Sequence, residues 1–231
     1  MKKIMSILRN NRGFLIFLVL LFAMRGSLLD WHPVPTGSMK PTILEGDVIV
    51  ENKLAYDIQI PFSSISLKRV GEPKRGEIIV FTSEKSGKRL IKRLVGLPGE
   101  TFEVVNNQLV INGKFAQYIK LPEDDPRIPE TAPDREPGFY AMESTDDMAP
   151  HIVHMQPGKY NPNLNFGPIT IPEDEYFFMG DNRDDSADSR YYGPAPRSEL
   201  RGRAFTIMLS SRIKENYAPR WDRFFKTLYS E

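Results

Sequence analysis

An unbroken apolar run, Phe14 to Met24, follows a start that carries Lys2, Lys3, Arg9 and Arg12 and no acid. The run is shorter than the roughly 20 residues that cross a bilayer. Three readings compete. A core helix of a soluble protein fits poorly, because the run is apolar on all sides. A cleaved secretion signal fits the basic start, but Ala23-Met-Arg-Gly-Ser27 offers no clean small-x-small site. The third is an uncleaved anchor from about residue 10 to 29, with Arg25 snorkelling to the far interface and Trp31 beside it. The anchor accounts best for the pattern. It keeps residues 1–13 cytoplasmic, uses 14–29 as the membrane helix, and puts the rest outside.

Beyond the anchor, nineteen prolines and sixteen glycines favour short strands and turns over long helices. The formal charge of +1 shows no basic footprint for nucleic acid. With no cysteine, disulfides and thiolate chemistry are excluded. Two strands are expected within 42–60, then strands over 76–82 and 89–95, and a hairpin of 101–105 with 109–111 across Asn106-Asn107. Residues 113–172 hold ten of the prolines and clustered acids. They read as an inserted smaller β or loop region. Strands are expected again at 176–179 and 203–209. The fold class expected is mainly β: an antiparallel catalytic core of 30–112 and 173–219, preceded by one transmembrane helix. In the tail, Trp221, Phe224, Phe225, Leu228 and Tyr229 have helical spacing, so 220–231 reads as an amphipathic helix packed on the core or lying at the membrane.

Pro35-Thr-Gly-Ser-Met-Lys-Pro41 puts Ser38 on a turn stiffened on both flanks, fewer than ten residues past the anchor. Taken alone, it is a polar surface turn. A serine hydroxyl needs a base to become a nucleophile. His32 is near in sequence and stays open as that base. His151 and His154 have H-x-x-H spacing but no obvious third ligand, so no metal is expected. A lysine base would have to be neutral, which burial favours. In Ile91-Lys-Arg-Leu-Val95, alternation puts Lys92 and Arg93 on opposite faces and does not choose between them.

Four stretches occur in order behind the anchor: the Ser38 turn, Gly76-Glu-Ile-Ile-Val-Phe81, Ile91-Lys-Arg-Leu-Val-Gly-Leu-Pro-Gly99, and Gly180-Asp-Asn-Arg-Asp-Asp-Ser-Ala-Asp-Ser-Arg190. Together they resemble the sequence boxes of bacterial type I signal peptidases, the Ser/Lys leader peptidases. The resemblance covers the anchor, 32–112 and 173–209, and not clearly the middle. It implies Ser38 as nucleophile and Lys92 as general base, with Thr36 as an oxyanion donor beside the Ser38 amide. Ser186 would orient Lys92, and Asp188 and Arg190 would form a supporting ion pair. Val34, Pro35, Met39, Leu90 and Ile91 would line shallow pockets for small residues. Departures from the common pattern are Thr36 for serine, Leu90 for tyrosine, and Asp185 for asparagine; Asp185 is expected to face solvent.

The expectation is thus a single-pass serine endopeptidase at the outer face of the cytoplasmic membrane. It would remove leader peptides from exported precursors after small-x-small sites, as a monomer, in contact with the lipid bilayer and without a cofactor. Alternatives are a Ser/Lys processing peptidase for one substrate, and a non-catalytic anchored β-protein that binds partners through its Pro-rich middle.

Overall fold

The computed structural model describes residues 11–60, 63, 65–129 and 138–229. The basic start up to residue 10, part of the inserted region and the final two residues lie outside the described residues. Helix α1, Arg12–Ser27, has 16 residues. At 1.5 Å each it rises about 24 Å, against a hydrocarbon core of about 30 Å. No helix among the described residues is long and apolar enough to cross a membrane. Phe14, Ile16 and Phe17 are each more than half exposed, so α1 is not a core helix. The expected anchor end at residue 29 is corrected. The helix stops at Ser27, where Lys53 Nζ donates to Gly26 O at 2.8 Å, and Leu29 already opens strand β1, Leu29–Pro33. Arg25 donates to Asp30 (3.0 Å) and stacks over Trp31.

The strands expected from alternation are β2 (Asp47–Asn52), β3 (Asp57–Gln59), β5 (Ile78–Ser83) and β6 (Lys88–Gly96), with β4 (Ser66–Arg69) added as a partner for β3. β3 and β4 form a two-stranded sheet of their own, while β1, β2, β5 and β6 join β14 (Glu175–Met179), β15 (Ala195–Pro196) and β16 (Leu200–Arg212) in an antiparallel sheet in the order β1-β2-β16-β5-β6-β14-β15. β16 is 13 residues long and pairs with β2 along one edge and β5 along the other, which stitches early and late chain together. Three strands stand between β1 and β6. In a flat sheet they would lie roughly 19 Å apart at 4.8 Å per step. Yet Arg89 Nη1 on β6 is 3.1 Å from His32 Nδ1 on β1, so the sheet curls until these strands face each other.

The hairpin of β7 (Thr101–Val105) and β8 (Gln108–Ile111) turns at Asn106 and Asn107, with φ of 48° and 67°, the left-handed pair that a two-residue hairpin turn needs. Residues 113–172 supply β9 (Lys114–Phe115), β10 (Gln117–Lys120), β11 (Phe139–Thr145), β12 (Met148–Met155) and β13 (Phe166–Thr170). β13 and β9 complete a four-stranded sheet around the β7–β8 hairpin, while β10, β11 and β12 make a three-stranded one. One apolar cluster joins Val95, Phe102, Val104, Met148, Ile171 and Phe177, so the inserted strands share a core with the strands around them.

The amphipathic helix expected over 220–231 is not formed. Residues Trp221–Arg223 make one 3-10 turn, and Phe225 takes φ 58°. Twelve residues are marginal for a helix on their own, and tertiary contacts win. Arg223 is buried on Asp47, Leu228 N donates to Phe205 O, and the Tyr229 hydroxyl accepts from Ile78 N and donates to Ala204 O.

Candidate active site

The loop carrying Ser38 leaves β1 and returns to β2. Asp47, fully buried, holds it from inside by accepting from Leu44 N (2.8 Å), Ser210 Oγ (2.6 Å) and Arg223 Nη2 (2.6 Å). A second clamp comes from the Gly180 turn. Asn182 N donates to Ser38 O at 3.1 Å, and Asn182 Nδ2 donates to Gly37 O at 3.2 Å. Asp181 accepts from the Thr42 hydroxyl. Gly180 is required here by space: a Cβ would collide with Ser186 Oγ and with the carbonyl of Ser38. Gly180→Ala is therefore expected to cost about 1–3 kcal/mol in urea unfolding and to lower kcat more than it raises KM. Wild-type values for both would refute the close approach.

Lys92 and Arg93 are both buried, at 3% exposure each, so neither is an edge charge. The two faces of β6 treat them differently. Arg93 makes a two-pronged pair with Asp181 (2.8 and 2.7 Å) and donates to Gly76 O, so its charge is matched. Lys92 has no carboxylate partner among the described residues. Its Nζ lies 2.5 Å from Ser38 Oγ and 3.2 Å from Ile91 O. Burial lowers the Lys92 amine from its ordinary 10.5 to about 8; Asp188 and Asp181 resist that shift and Arg190 adds to it. The neighbouring carboxylates stay ionised. Burial alone would raise Asp188, but Arg190 and the amide of Gly180 bring it below the usual range. Asp188 and Arg190 form a bidentate pair at 2.9 Å on both prongs, and Arg190 Nη2 also donates to Arg183 O. That pair ties the two ends of the turn.

Other expected site residues fall as follows. Thr36 is exposed, two residues before Ser38. Ser186 is buried and its hydroxyl lies against Asp188, whose pKa it helps to lower; the expected direct bond to Lys92 is not made among the described residues. Gly180 separates it from the Ser38 carbonyl. Asp185 is exposed and pairs with Lys159 at 3.0 Å. Val34 and Met39 are buried in one apolar cluster against which Ile91 packs, Leu90 packs into a different cluster with Phe81 and Phe178, and Pro35 is exposed. A cavity of about 500 Å³ lined by Thr42, Arg93, His151, Arg223 and Tyr229 includes neither Ser38 nor Lys92.

His32 is turned to other work. Its Nε2 lies 2.6 Å from Glu51 Oε2 and its Nδ1 is 3.1 Å from Arg89. An arginine can only donate, so Nδ1 accepts and Nε2–H donates to Glu51. His154 is buried beside Asn182, and His151 lies 3.3 Å from Glu143, so these two do not form a ligand pair. The grouping of Asp30, His32 and Glu51, with ligand atoms within 4.8 Å of one another, was hidden in the sequence because only the β1–β2 register brings them together. Asn182 was also missed as a residue that grips the Ser38 loop. Its only sequence signal was its place in the Gly180 box.

The family model described as "Signal peptidase, peptidase S26" matches residues 7–209. Signal peptidase I of Pseudomonas aeruginosa is 31% identical over 218 residues, covering 87% of this chain and 72% of that protein. Signal peptidase I P of Bacillus subtilis subsp. natto is 33% identical over 181 residues, covering 78% and 76%. Signal peptidase I of Aquifex aeolicus is 31% identical over 232 residues, covering 87% and 83%. A crystal structure of a signal peptidase I from Enterococcus faecalis is 30% identical and covers 58% of this chain and 97% of that one, with a TM-score of 0.34. The molecule is a hydrolase of the serine endopeptidase class. It belongs to the signal peptidase family.

Proposed function

We propose that Ser38 and Lys92 form the catalytic dyad of an enzyme that removes leader peptides from exported precursors after small-x-small sites. The observation that carries this reading is a buried lysine with a lowered pKa, lacking a carboxylate partner among the described residues, 2.5 Å from a serine on a clamped turn. In its neutral form the amine accepts the Ser38 proton as Oγ attacks the scissile carbonyl. The ammonium then donates to the leaving amine, and the amine activates water to release the acyl group. The Ser38 amide and the Thr36 hydroxyl stabilise the oxyanion. Ser186, buried beside that turn, accepts a hydrogen bond from the neutral Lys92 amine once Ser38 is acylated. Asp188 and Arg190 hold the turn that carries it.

An extended leader would lie as a strand between Pro35–Gly37 and Arg89–Lys92. Residues Arg89 to Lys92 pair with β5 on one edge, while β14 pairs with β6 only from Arg93 onward. Val34, Pro35, Met39, Leu90 and Ile91 then shape the pockets. The apolar run ending at Met24 anchors the chain in the cytoplasmic membrane and sets Ser38 close to its outer surface, where a membrane-inserted leader presents its cut site. The test is cleavage of a precursor in lipid vesicles, with the new amino terminus mapped by mass spectrometry. Cutting is expected after the small-x-small site and is expected to stop when leucine replaces either small residue. Cutting elsewhere, or indifference to leucine, rules the reading out.

A further inference from the structure

The catalytic pair accounts for one end of the gap between β1 and β6. At the other end the gap is bridged by charge. Arg89 sits three residues before Lys92 and His32 six before Ser38, and the two side chains meet at 3.1 Å. His32 is itself fixed by buried Glu51. With strand alternation, Arg89 shares a face with Ile91, and His32 shares one with Val34. Ile91 packs on the cluster that contains Val34, so the gap has two successive layers, an apolar one next to the catalytic pair and a cationic one beyond it.

Arg89 is exposed, and one terminal nitrogen is engaged with His32. The remaining donors of the guanidinium have no partner among the described residues. Both lining segments run toward their catalytic residues, so the upstream part of a leader lies parallel to them. A rise of about 3.3 Å per residue puts Arg89 beside the leader residue roughly three to five positions before the cut.

Resting on the reading of Ser38 and Lys92 above, we propose that Arg89, held by His32, determines substrate choice at that upstream position: it favours an acidic leader residue there and disfavours lysine or arginine. The occupant is the leader itself. Its class is set by charge complementarity and by continuity with the catalytic gap.

The experiment compares three peptides that differ only at that position, carrying aspartate, alanine or lysine, with the full chain in vesicles of neutral lipid at low salt. For wild type, kcat/KM is expected to be about five-fold higher for the aspartate peptide than for the lysine peptide, as befits a half-solvated charge pair. Raising salt should shrink the ratio. Arg89→Gln should bring it near one, and Arg89→Glu should invert it, each ratio being taken between the aspartate and lysine peptides within the same variant. A ratio that is the same in wild type and Arg89→Glu, while the alanine peptide is still cut, overturns this inference and leaves the dyad standing. If wild type does not cut the alanine peptide at all, the dyad reading falls and this inference with it.

Discussion

Precursor cleavage is expected to fall about ten-thousand-fold in Ser38→Ala and equally in Lys92→Ala, with no further loss in the double variant, because a nucleophile and its base act as one unit. Wild-type kcat/KM should climb about ten-fold per pH unit up to roughly 8 and then level off, since only the neutral amine can take the serine proton. A flat profile between pH 6 and 8, or normal cutting by Lys92→Ala, would remove lysine from the mechanism.

The same lowered pKa has a consequence for stability, and its sign can be worked out. Between about 8 and 10.5 the unfolded chain holds a proton on Lys92 that the folded one does not. Stability therefore rises with pH across that window and is lower by about 3 kcal/mol beneath it. Lys92→Met should be inactive yet more stable than wild type at pH 7 by about 2–3 kcal/mol, and the difference should vanish by about pH 10.5. Urea unfolding at the two pH values reads this directly.

The second large effect is expected at Glu143. This carboxylate is fully buried on β11 and accepts from Arg183 Nη2 (2.6 Å) and from the Tyr118 hydroxyl (2.5 Å). Burial would push its pKa up, but Arg183 and His151 beside it bring it well below the usual carboxylate range. Arg183 in turn donates through Nε to Gly180 O, inside the turn that grips Ser38. Glu143→Ala leaves the Arg183 cation buried without its partner and is expected to cost about 3–5 kcal/mol. The contribution of Glu143 is present above the unfolded carboxylate value near 4.5 and lost as pH falls below it, so the gap between wild type and Glu143→Ala should narrow in acid. A loss of under about 1 kcal/mol at pH 7 would mean that Arg183 finds other support.

How much of this was legible in the sequence depends on the kind of signal. Strands with one buried face, such as β2 with its regular alternation, could be read directly. The Asn106-Asn107 turn was equally clear, because its chemistry is local. β6 is buried on both faces from Lys92 onward, so alternation had nothing to say about which cation does what. That choice came from the resemblance, and in the structure it is Arg93 that has a matched carboxylate. The tail shows the opposite failure: a good helical pattern overruled by partners 150 or more residues away, Asp47 for Arg223 and Ile78 for Tyr229. The His32–Arg89 bridge, 57 residues apart, needed the curl of the sheet before it existed at all.

Asp47 and Arg223 are separated by 176 residues, and Arg220 likewise reaches back to Glu45 O across 175. The loop that presents Ser38 is thus locked by residues synthesised long after it. A nascent chain that has made its serine and its lysine still lacks the clasp that holds the serine in place.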